Sequence, residues 1–222
     1  MGCPAPKVVK NGEGSALMRE PKKAEEILTA IRRATKLPFT VKMRLGWDDV
    51  SCNAVEIARM AEAVGVDAVA VHGRTREQFY SGNADYAAIA EVKRAVNIPV
   101  IVSGDIRRPV DLARALDITG ADAVMIGRGA QGNPWIFPQL IHWLRTGEEL
   151  PPPTRTERAQ VILRHLDLLV GYKGEYIGIR EMRKHAAWYT RGLKGSAELR
   201  ERFNRAASKD EFVNILRDAW DL

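Results

Sequence analysis

Four short runs rich in valine, isoleucine and other apolar residues recur along the first 130 positions, and each ends in glycine or polar residues. They are Phe39–Arg44, Ala68–Gly73, Pro99–Asp105 and Ala123–Gly129. Runs of this length and composition read as strands. Between them the apolar spacing becomes helical. Lys22–Thr35 sets Ala24, Ile27, Leu28 and Ile31 on one face behind Pro21, a residue suited to a first helical turn. Asn53 is positioned to cap a helix carrying Val55, Ala58, Ala61 and Ala63 and stopped at Gly65. Tyr86–Val96 carries Ile89, Val92 and Val96, and Pro109–Leu116 is closed by Gly120. Repeated strand–helix units with functional groups at the strand C-termini are the signature of a (β/α) barrel, whose chemistry sits on that face.

A closed barrel needs eight strands in about 250 residues, and four are legible here. The predicted fold is therefore α/β, the C-terminal half of a TIM (β/α)8 barrel with four parallel strands, followed by a small all-α domain. The residues before Phe39 read as a strand-end motif without its strand, so an N-terminal part of the barrel is expected to be missing. Pro151–Pro153 reads as a linker, which divides the chain into a partial barrel at 1–150 and a helical domain at 151–222.

Strand alternation locates candidate chemistry. In Phe39–Leu45 one face is Phe39, Val41, Met43 and Leu45, and the other carries Thr40, Lys42 and Arg44. Two cations facing a barrel interior are costly unless an anion or polar ligand meets them. His72 stands at the mouth of the next strand above Ala68 and Ala70. Ser103, Gly104 and Asp105, then Gly127, Arg128 and Gly129, occupy consecutive strand ends. Together they resemble a backbone N–H cradle for phosphate, with Arg128 able to fork onto its oxygens. Cys3 has Lys7 and Lys10 nearby in sequence, a setting in which a thiol can move a proton.

Charge adds a second theme. The 222 residues carry a formal +6, and Cys3 and Cys52 are the only cysteines, so a disulfide framework is excluded and a cytoplasmic location is expected. No apolar stretch is long enough to span a membrane. Within Tyr176–Arg205 eight Lys/Arg face three acids, a surplus of five, with Tyr176, His185, Trp188 and Tyr189 interleaved. That mixture suits RNA, whose phosphates attract cations and whose bases stack on rings. Arg180, Arg183, Lys184 and His185 are the candidate RNA-binding residues. No metal site is expected.

The ordered series Gly2-Cys3-Pro4, Gly14-Ser15-Ala16-Leu17-Met18, Val41-Lys42-Met43-Arg44, Gly46-Trp47, Val71-His72-Gly73-Arg74-Thr75, Gly104-Asp105-Ile106 and Gly127-Arg128-Gly129-Ala130-Gln131-Gly132-Asn133-Pro134-Trp135 resembles the bacterial tRNA-dihydrouridine synthases, most closely the B-type branch. The resemblance covers essentially the whole chain. It implies an FMN-binding barrel and reduction of uridine to 5,6-dihydrouridine in the tRNA D-loop, with hydride from NADPH or NADH. It assigns Cys3 as general acid and Lys42 and His72 as flavin contacts. Ser103, Gly104, Asp105, Gly127 and Arg128 fall at the flavin phosphate. Where Ser103 stands the family usually has asparagine. The expected partner is tRNA, with no protein partner and a monomer at full length. Two other readings compete: a catalytically inactive fragment that retains RNA binding, and an FMN barrel reductase of a free small molecule, similar to the dihydroorotate dehydrogenases.

Overall fold

The computed structural model describes residues 1–220. Four strands, β1 (Thr40–Arg44), β2 (Ala68–His72), β3 (Val100–Ser103) and β4 (Ala123–Met125), form one sheet in the order β1-β2-β3-β4, and every pair is parallel. This is the arrangement of four successive units of a (β/α) barrel. Ahead of β1 lie α1 (Pro6–Val9) and α2 (Pro21–Ala34); α3 (Ala54–Ala63), α4 (Tyr86–Ala95) and α5 (Pro109–Thr119) connect the strands. The helices α6 (Ile136–Thr146), α7 (Arg155–Lys173), α8 (Glu175–Tyr189), α9 (Ser196–Arg205) and α10 (Lys209–Trp220) follow. The chain divides into two compact units, one ending at Gly129 and the other beginning at Ala130.

In the first unit β2 is buried along its whole length, as a strand flanked on both sides must be. Val69, Val71, Val100 and Val102 pack beneath Ile57, Ala58, Ile89, Val92 and Leu112. Two helix faces differ from the expectation. On α2 only Ala24 and Leu28 are buried, while Ile27 and Ile31 stay exposed. On α3 the buried set is Ala54, Ile57, Ala58 and Ala61, so the helix is rotated by about one residue from the Val55–Ala63 stripe. The Asn53 cap is not made either. Its amide Nδ2 donates 2.7 Å to the carbonyl of Met18, which ties the segment before α2 to the start of α3.

The second unit buries Ile162, Leu166, Ile179, Met182, Phe203, Phe212, Leu216 and Trp220 between α7, α8, α9 and α10. Thr154 and Glu157 form a reciprocal cap at the start of α7. Among the described residues no helix is long and apolar enough to cross a membrane.

Candidate functional site

Register places the candidate residues in layers. Arg44 pairs with His72, His72 with Ser103, and Ser103 with Met125, so these four form the last rung at the C-terminal edge of the sheet. One rung below, Lys42 pairs with Ala70 and Ala70 with Ile101. Residues paired across parallel strands share a face. Lys42, Arg44, His72 and Ser103 therefore belong to one face of one edge.

Arg44 is buried, yet the partners that satisfy it are protein carbonyls rather than an anion. Nε donates to Gly2 O at 2.9 Å, and Nη1 donates to Thr75 O at 2.7 Å and Phe79 O at 2.9 Å. Arg74, 1% exposed, repeats the device: Nε reaches Ser81 O and Nη2 reaches Gly82 O and Asp105 Oδ2, the last at 2.7 Å. Two guanidiniums thus hold the loop between β2 and α4 by its backbone. Phe79, held by Arg44, has φ of 51°, a conformation that a bulky side chain adopts only against steric cost.

Asp105 lies between two cations. Its Oδ2 accepts from Arg74 and from the Ala84 N–H at 2.8 Å, and its Oδ1 accepts from Arg128 at 3.1 Å. Burial alone would raise this carboxyl, but the bonds from Arg74 and Ala84 and the two positive charges outweigh it and hold the pKa below its ordinary value. Arg128 also lies over the Tyr80 ring, 4.6 Å from its centroid.

His72 is buried among cations. Loss of water, then the charges of Arg44, Lys42 and Arg74, lower its pKa from 6.5 to about 3, with Asp105 opposing weakly. The imidazole is neutral at pH 7, and Nε2 lies 3.4 Å from Arg74 Nη1, where it can accept. The stability of the neutral ring is fully present above pH 6.5 and is lost as pH falls toward 3. Urea denaturation of His72→Gln and the parent should therefore converge between pH 7 and 4. The expected slope of the difference is up to about 1.4 kcal/mol per pH unit. A difference that ignores pH would mean the ring is not held neutral. Lys42 is exposed as a side chain, yet its ammonium is shielded enough by protein atoms that desolvation, then Arg44, lowers its pKa.

Gly104 has φ of 128°, and a Cβ there would meet Ala84 Cβ at 2.8 Å and His72 Cδ2 at 3.1 Å. Beside Gly127 a Cβ would meet nothing within 4 Å. Among the described residues the N–H groups of Gly104, Asp105 and Gly127 donate to no protein acceptor. These are orphaned donors of the kind that cradle phosphate.

Cys3 is exposed and unbridged. Its flanking backbone is fixed, because Gly2 O accepts from Arg44 and Cys3 O accepts from Ser15 N and Ser15 Oγ at 3.0 and 2.9 Å. Gly14, at φ of 60°, fits beneath it, where a Cβ would come within 2.7 Å of Cys3 O.

In the second unit the RNA candidates separate. Tyr176, Arg180, Lys184 and Trp188 follow one another at four-residue spacing along one stripe of α8. Arg180 lies 3.4 Å above the Tyr176 ring, and the Lys184 ammonium 5.3 Å from the Trp188 centroid. His185 contacts the rings of His165 and Trp188 at 4.5 and 5.1 Å. Arg183 turns instead toward its own unit and donates to Ala206 O at 2.7 Å.

Sequence reasoning gave no role to Arg74 or Tyr80. An arginine directly after a strand-terminal glycine was the available signal for the first. The acceptors of Arg74 include two loop carbonyls, which leave no trace in residue identity. Trp47, clasped between the guanidiniums of Arg19 and Arg76 at 4.8 and 4.6 Å, was likewise passed over.

Fold and site together define an α/β protein with an anion-seeking edge at the strand C-termini. The dihydrouridine synthase (Dus) family profile matches residues 1–221, and the chain belongs to that family. It is 48% identical over 221 residues to tRNA-dihydrouridine synthase B of Xanthomonas axonopodis pv. citri, covering all of this chain and 67% of that protein. It is 47% identical over 210 residues to tRNA-dihydrouridine synthase B of Pseudomonas aeruginosa, covering 95% of this chain and 63% of that protein. The chain thus spans about two thirds of the length of these relatives. Among solved structures, a mandelate oxidase with benzaldehyde aligns over 87% of this chain and 59% of its own, at 16% identity and a TM-score of 0.33. At that level the likeness bears on neither fold nor chemistry.

Proposed function

We propose that the chain serves in the flavin-dependent reduction of uridine to 5,6-dihydrouridine in the tRNA D-loop, with NADPH or NADH as the source of hydride. The observation that carries this is the set of orphaned N–H donors at Gly104, Asp105 and Gly127 beside Arg128, on a sheet edge whose nearest face is cationic. Those groups fit a ribityl phosphate. The same reading puts FMN against Lys42 and His72, with Ser103 adjacent, and divides the chain into a cofactor-binding part at 1–150 and an RNA-binding part at 151–222. FMN, when bound, supplies hydride to uracil carbon 6.

The protein groups around it do the rest. Neutral His72 offers no proton and orients polar atoms by hydrogen bonding. Lys42, made less basic by its surroundings, places a positive charge or a donor beside the ring system. Cys3 holds the proton that carbon 5 must gain, because hydride addition alone would leave a carbanion there. Its fixed backbone on both sides positions Sγ without using it.

Flavin retention tests the cofactor reading. Gly104→Val closes the approach and forces a β-branched residue to a φ of 128°, so bound flavin should fall by about tenfold or more. Full flavin content in that variant would place the phosphate elsewhere.

For RNA, Arg180, Arg183, Lys184 and His185 are the proposed contacts, and Arg183 also anchors α8 through its bond to Ala206 O. Binding should weaken steeply with salt. Lys184→Ala should shallow the log–log salt slope by about 0.7–0.9, one phosphate contact. A slope unchanged by the substitution would remove α8 from the interface.

A further inference from the structure

A cleft of about 540 Å³ opens in the first unit between the loop preceding α4 and the N-terminal half of α5. Five arginines line it: Arg74, Arg107, Arg108, Arg114 and Arg128. Two acids answer them, and both are already engaged. Asp105 is held by Arg74 and Arg128 at 2.7 and 3.1 Å. Asp111 accepts the N–H groups of Arg107 and Arg108 at 3.1 and 3.0 Å and meets the Arg108 guanidinium at 3.6 Å. Arg107 and Arg114 are left, among the described residues, with no acidic partner for either guanidinium. Like charges gathered in one concavity repel one another and raise the local concentration of anions. Guanidiniums fork onto phosphate oxygens better than any other side chain. Asp105 and Arg128 line this space as well as the cradle described above, whereas Gly104, Gly127, Lys42 and His72 do not, so the cleft adjoins the cradle and extends beyond it to Arg107 and Arg114.

We propose that this cleft is a second phosphate-binding site, which takes a phosphate ester through Arg107 and Arg114, with Tyr80 as an aromatic wall. The ester belongs to one of two sources, the hydride-donating nucleotide or the RNA backbone. Only the naming of those sources rests on the function proposed above; the site itself does not.

Isothermal titration of the chain with adenosine 2′,5′-bisphosphate and with an unmodified tRNA transcript, at fixed ionic strength, separates the sources. The double variant Arg107→Gln/Arg114→Gln should weaken binding of at least one probe by about tenfold or more, since each lost charged hydrogen bond is worth that much. Loss confined to the bisphosphate assigns the site to the nucleotide. Loss confined to tRNA, with a salt slope shallower by roughly one to two, assigns it to the RNA backbone. Arg94→Gln, on the exposed face of α4, should change neither. If the double variant does not fold, Arg114→Gln alone carries the test, because that side chain is exposed. Unaltered affinity for both probes would overturn the proposal. So would an equal fall in bound flavin, which would make the cleft part of the cradle. Flavin content of the unsubstituted chain reports on the function reading by itself, so the two can fail separately.

Discussion

Replacing Cys3 by alanine should leave flavin reduction by nicotinamide cofactor intact and lower dihydrouridine formation by about 10²–10⁴. That is the usual span for removing a positioned proton donor. The separation follows from where the proton is needed. Transfer of hydride to flavin requires no donor to uracil, whereas protonation at carbon 5 does. The substitution is clean structurally: the side chain is exposed, and the hydrogen bonds on either side of it are made by the Gly2 and Cys3 carbonyls. Stability should therefore move by less than about 0.5 kcal/mol, as for an ordinary surface change. The measurement is single-turnover reduction of tRNA in a protein of the relatives' full length carrying this sequence, followed beside the bleaching of flavin absorbance. Near-parent yields of dihydrouridine in the alanine variant would assign the proton to another group.

Arg74→Met should be the most damaging single change to the first unit, at about 3–5 kcal/mol, the range for removing one partner of a buried ion pair. Methionine fills similar volume but donates nothing. The carbonyls of Ser81 and Gly82 would lose their donor, and Asp105 would keep only Arg128 and the Ala84 N–H. Asp105 remains 28% exposed, which lets water recover part of the loss, so the lower half of that range is expected. Chemical denaturation of the two proteins at pH 7 measures it. A cost under about 1 kcal/mol would show that the loop is held by packing rather than by the guanidinium.

Much of the fold was legible because parallel strands buried on both faces leave continuous apolar runs, as in Ala68-Val69-Ala70-Val71. The glycines and prolines around them mark where each run stops. Helix phase was less legible. On α3 the small residues Ala54, Ala58 and Ala61 leave the stripe ambiguous by one position, and the packing of Ile57 decides it. Asn53 looked like a cap from its place before a helix. Nothing local revealed that its amide would find the Met18 carbonyl, 35 residues away. The same limit applied at the site. Lys42, His72 and the two glycine-bearing strand ends could be gathered on one edge from alternation and strand order alone. The partners of Arg44 could not, because they are backbone carbonyls of Gly2, Thr75 and Phe79, and any residue type supplies those equally well. Arg183 was expected at the RNA, and its bond to the Ala206 carbonyl could not be read from a basic run on a helix.

The three acceptors of Arg44 are all neutral. A guanidinium satisfied by carboxylates is electrically silent at a distance, whereas one satisfied by carbonyls keeps its whole formal charge while forfeiting none of its hydrogen bonds. The loop between β2 and α4 is thus fastened by a cation that remains visible to whatever approaches. Fastening and attraction become two readings of one free energy. By linkage, an anion that prefers the closed loop must tighten it by the same factor by which loop opening weakens the anion's hold. Were an anion to prefer the closed loop, loop order would report its occupancy.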